Sequence, residues 1–68
     1  MGTEISIAEK IRLIRVNLHW SQSQLGDHLG KQASTICKYE NGTVIPPGDI
    51  LDRIYELKSK IKNVSIEF

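Results

Sequence analysis

A single cysteine, Cys37, is all the sequence offers, so no disulfide can form within the chain and one thiol cannot build a metal site. His19 and His28 add two ligand types, but no cysteine–histidine spacing resembles a zinc motif, and no cofactor is expected. Charge of one sign is also scarce: nine Lys and Arg stand against eight Asp and Glu, leaving a net charge of +1. Many nucleic-acid binders are more basic. The balance neither points to such a partner nor excludes one, because nine cations on a small surface can share one face. No apolar stretch is long enough to span a membrane and no secretory signal opens the chain, so a reduced, cytoplasmic protein is expected. Nucleophile–base pairs, metal clusters and phosphate loops are missing too, which argues against an enzyme. There are no repeats, low-complexity tracts or linkers, and the 68 residues are expected to form one domain, 1–68, with little core to spare.

What is present is helical punctuation. Ser6 and Glu9 have capping-box spacing, and Ile7, Ile11, Ile14 and Leu18 follow at steps of four, three and four. That predicts a helix ending near Asn17 or Leu18. Ser21 and Gln24 repeat the box, with Trp20 placed as a hydrophobic staple. Leu25 and Leu29 give this second helix its apolar face, and Gly30 stops it. Gly26 falls inside it, where glycine costs about 1 kcal/mol relative to alanine; this predicts a close approach by another helix.

A third helix fits residues 32 or 33 to 40, with Ile36 as apolar anchor and Tyr39 half buried. Its outer face carries Gln32, Ala33, Ser34, Cys37 and Lys38, and Asn41-Gly42 ends it. Residues 43–48, with both prolines, read as a loop. Ile50, Leu51, Ile54, Leu57 and Ile61 give the 3.6-residue period of a fourth helix, from Asp49 to about Lys60. Thr3 to Ile7 and Val64 to Phe68 alternate polar and apolar, which is strand patterning. The expected fold is mainly α: four helices, with short N- and C-terminal β-strands.

Residues 22–39 form the most informative constellation. Two short helices joined by a tight turn must cross closely, and Gly26 suits the crossing. The turn needs positive φ, and Gly30 suits it. Leu25, Leu29 and Ile36 would join the pair to the first and fourth helices, leaving a small, polar outer face suited to reading a groove. The stretch from Ser21 to Gly42 resembles the phage-repressor and Cro type of helix-turn-helix protein, the XRE family, and the resemblance extends from Ile7 to about Leu57.

The resemblance implies roles. Gln32, Ala33, Ser34, Cys37 and Lys38 match positions that face base edges, with Thr35 in the same first turn. Gln22, Asn41 and Thr43 match backbone-phosphate contacts; Lys31 has no counterpart there, but its long side chain is expected to carry its charge to a phosphate as well. Arg15 and Glu40 match a structural ion pair. Two positions depart from the family. Lys31 stands where a buried Val or Ile is usual, and Gln32 replaces the usual Ser or Thr cap. A C-terminal strand pattern also takes the place of a fifth helix.

Cys37 reads as a small groove-facing side chain rather than a redox sensor. Val64, Ile66 and Phe68 are the expected dimerisation residues, because an apolar strand edge calls for pairing. The implied protein is a transcriptional regulator, foremost a Cro-like phage repressor of bacterial or phage-infected cells. It would bind a palindromic double-stranded DNA operator as a homodimer, with affinity that falls steeply with salt. A restriction-modification controller, or an antitoxin that also binds a toxin protein, are the alternatives.

Overall fold

The computed structural model describes residues 6–61. Most of the N-terminal strand expectation (Thr3 to Ile5) and all of the C-terminal one, with Val64, Ile66 and Phe68, lie outside the described residues. Four helices follow in order: α1 (Ile7–Asn17), α2 (Gln22–Leu29), α3 (Ala33–Glu40) and α4 (Gly48–Lys58). Ile7 therefore opens α1 and does not extend a strand. Ser6 turns the chain there, its Oγ accepting from the Glu9 N–H at 3.2 Å. Only this half of the expected box forms; the Glu9 carboxylate faces Arg12 Nη1 at 3.6 Å instead. At α2 the box is complete: Ser21 Oγ accepts from the Gln24 N–H at 3.1 Å, and Gln24 Oε1 accepts from the Ser21 N–H at 2.7 Å.

Three of the helices stop by one device, a residue in the left-handed region that lets the next N–H reach back five residues. Gly30 (φ 74°) ends α2, with the Lys31 N–H donating to the Gly26 carbonyl at 2.8 Å. Gly42 (φ 82°) ends α3, with the Thr43 N–H donating to the Lys38 carbonyl at 3.0 Å. Sequence punctuation announces both. After α1 the left-handed residue is His19 (φ 61°), and the Trp20 N–H reaches the Arg15 carbonyl at 3.2 Å. No glycine marks that turn.

The fourth helix starts at Gly48, one residue earlier than its period suggests, with Pro47 as N-cap. It ends at Lys58 and not at Lys60. There the Ser59, Lys60 and Ile61 N–H groups donate three residues back, to Glu56, Leu57 and Lys58, which tightens the last turn.

Nine side chains make the core: Ile11 and Ile14 of α1, Leu25 and Leu29 of α2, Ile36 and Tyr39 of α3, and Ile50, Ile54 and Leu57 of α4. Tyr39, expected half buried, is only 4% exposed and belongs to the core itself. Trp20 sits at the edge of this core, half buried. Its ring lies 5.4 Å from that of His28 at 47°. Leu51 and Ile61, read as members of the α4 stripe, are half buried against the same cluster.

Candidate nucleic-acid interface

Helices α2 and α3 pack on each other more extensively than any other pair. Gly26 permits this, but the close neighbour is not another helix as its position suggested. A Cβ built at Gly26 would stand 2.5 Å from the Lys31 carbonyl oxygen and 3.3 Å from the Gln32 carbonyl carbon. The missing side chain makes room for the backbone of the turn itself. The Gly26 carbonyl at the same time accepts the Lys31 N–H. One residue thus fixes where the turn folds back and where α3 begins.

The third helix divides cleanly. Ile36 and Tyr39 point into the core, which forces residues a third of a turn away to point out. Ser34, Cys37 and Lys38 are exposed at spacings of three and four, and so line one outward stripe that continues to exposed Asn41. Lys31 and Gln32 are exposed just before the helix, and Thr43 just after it; Ala33 and Thr35 are half buried at its start. Eight residues of helix span about 12 Å, the width of the DNA major groove. Gln32 is the N-cap, and its side chain makes no capping bond, as its poor capping chemistry suggests. Beyond the helix, Asn41 Oδ1 accepts from both the backbone N–H (2.9 Å) and the hydroxyl of Thr43. That bond fixes the two residues relative to each other.

Beneath this face lies a polar clamp. Arg15 Nε and Nη2 donate to the two oxygens of Glu40 at 2.6 and 3.1 Å, and Nη1 donates to the Trp20 carbonyl at 2.9 Å. The side chains are 16% and 6% exposed. The Glu40 hydrogen bond raises the Arg15 pKa above its ordinary value; burial opposes this and the carboxylate's charge adds to it. The pair joins α1, the α1–α2 turn and the end of α3, as its structural role requires. Gln22 belongs to the same clamp: its Nε2 donates to Glu40 Oε1 at 3.2 Å. That link could not be read from sequence, because residues 18 positions apart meet only through the α2–α3 crossing.

A second unforeseen tie is Arg53, whose Nη2 donates at 2.7 Å to the carbonyl of His28 near the end of α2. It bonds a carbonyl that the helix leaves without an intrahelical donor, and it fastens α4 to the motif. Lys31 is exposed, so its charge is free to leave the apolar surface. No helix among the described residues is long and apolar enough to cross a membrane.

A capped helix, a glycine turn seated on its own carbonyl, and a second helix with an apolar floor and a small polar outer stripe define a helix-turn-helix. A family model described as helix-turn-helix matches residues 11–56. The chain belongs to the XRE-type helix-turn-helix family of DNA-binding transcription regulators. Neither the curated proteins nor the solved structures gave a match.

Proposed function

We propose that the protein is a Cro-like repressor that binds a palindromic operator as a homodimer, each subunit laying α3 in one of two successive major grooves. The exposed Ser34–Cys37–Lys38–Asn41 stripe, held on an apolar floor, is the observation that carries this reading. Gln32, Ala33, Ser34, Thr35, Cys37 and Lys38 face base edges. Lys38 suits guanine, Gln32 suits adenine, and the methyl of Ala33 suits thymine. Ala33 and Thr35, being half buried, reach less far than Ser34 and Lys38. Gln22, Lys31, Asn41 and Thr43 hold phosphates on either side, the first beside the positive end of the α2 dipole.

Two further points complete the proposal. Val64, Ile66 and Phe68 pair across the dimer. Regulation acts through occupancy: the bound dimer blocks polymerase. Sedimentation of the protein on a short duplex recovered from random DNA tests both the stoichiometry and the tail. Two chains per duplex are expected, falling to one, with weaker binding, when residues 64–68 are removed. A truncated chain that still binds as a pair at full affinity would remove the tail from the interface.

A further inference from the structure

The clamp beneath the reading face contains one bond that a purely structural ion pair does not need. Arg15 already satisfies both oxygens of Glu40, yet Oε1 also takes the side-chain amide of Gln22. We infer that Glu40 is a positioning residue for DNA binding: it holds the Gln22 amide so that one N–H is spent on the fold and the other is presented to a backbone phosphate. The inference rests on the reading of Gln22 as a phosphate contact.

The chemistry leaves the amide only one orientation. A carboxylate is an acceptor alone, so the NH2 group of Gln22 must face Glu40, and its carbonyl must point elsewhere. With Nε2 anchored by one hydrogen, the second hydrogen remains at a fixed place. Gln22 is the first residue of α2, where the helix dipole already favours an anion. A carboxylate so near a phosphate would repel it, but Arg15 cancels that charge through two hydrogen bonds. Glu40 itself, at 6% side-chain exposure, is too buried to meet DNA and acts through Gln22. A long side chain ordered before binding loses less freedom when it binds, and this is how the clamp contributes to affinity.

A double-mutant cycle on a selected duplex tests the inference. Gln22→Ala is expected to weaken binding roughly tenfold, the size of one hydrogen bond to a charged group. Glu40→Gln should weaken it by roughly three- to tenfold when Gln22 is present, and add less than about twofold in the Gln22→Ala background. A duplex with a methylphosphonate at the contacted phosphate should reproduce the Gln22→Ala loss with the wild type and add nothing to the variant. If Glu40→Gln costs as much without Gln22 as with it, Glu40 merely supports the fold and the inference fails. If Gln22→Ala binds normally, the phosphate reading itself is wrong, which is a separate outcome. The Gln22 side-chain amide resonances of the wild type need no substitution and cover a Glu40→Gln chain that does not fold. One proton should shift on adding DNA while the proton facing Glu40 stays in place. Movement of both would show that Gln22 leaves Glu40 on binding, and would overturn the inference.

Discussion

His19 holds a left-handed conformation (φ 61°) where its neighbours in the other two turns are glycines. A Cβ in that region costs about 1 kcal/mol or more, and histidine tolerates it better than bulkier side chains do. His19→Gly removes the clash but adds freedom to the unfolded chain. The net expectation is a gain of about 0.5 to 1 kcal/mol, visible as a thermal midpoint a few degrees higher. Gly26→Ala should behave oppositely despite alanine's better helix propensity. The new methyl would meet the Lys31 carbonyl at 2.5 Å, and neither that backbone nor the glycine's own can move without shifting the start of α3. A loss of about 1 to 3 kcal/mol in urea unfolding is expected, with weaker DNA binding. Gly26 and Gly30 were both legible as special in the sequence. What Gly26 meets was not, because its neighbour is backbone of the turn, which carries no residue signature. His19 carries no turn signal at all, and only the three-dimensional course of the chain reveals its strain.

Among elements, the Arg15–Glu40 clamp decides how α1 meets the helix-turn-helix. Removing one member leaves the other buried without its partner, so Arg15→Ala should cost about 3 kcal/mol or more. That is a large share of the stability of a domain this size. Arg15→Lys keeps the charge but loses the two-pronged geometry and should cost roughly half as much, as measured by urea unfolding. The pH dependence has a definite sign. The Arg15 pKa is raised in the folded chain, chiefly by the Glu40 hydrogen bond. Its contribution is therefore complete below the ordinary arginine value and is lost only as pH rises through the higher folded one. Stability at neutral and mildly alkaline pH should show no titration from this group.

The four helices were legible from caps and apolar spacing, because those signals are local. Their exact ends were less so. Helix α4 stops two residues early, where three N–H groups turn back by three residues, a choice that Lys58 to Ile61 do not encode in their apolar period. The pairing of Arg15 with Glu40 came only from family resemblance, and Gln22 and Arg53 joined the account only once the packing was visible.

For the whole molecule, the near-neutral charge acquires a structural meaning. The chain has three arginines, and each is engaged within the protein: Arg12 with Glu9, Arg15 with Glu40, and Arg53 with the His28 carbonyl. The cations on the proposed reading face are lysines, Lys31 and Lys38, both exposed. Lys31 is the one proposed to neutralise a phosphate, and one per subunit in a dimer implies a slope of log affinity against log salt of roughly −2. Lys31→Ala should reduce its magnitude by about 1 per subunit on any sequence, as a phosphate contact does. Ser34→Ala should leave the slope unchanged and cost about 1 to 3 kcal/mol on the preferred sequence alone.

Whether α3 reads DNA sequence is decided by selection of bound duplexes from random DNA. An inverted repeat whose half-sites lie about 34 Å apart should be enriched. Lys38→Ala should relax the preference at one position of each half-site. A pool that remains random after repeated selection, or a preference that Ser34 and Lys38 substitutions leave untouched, would mean that α3 does not read sequence.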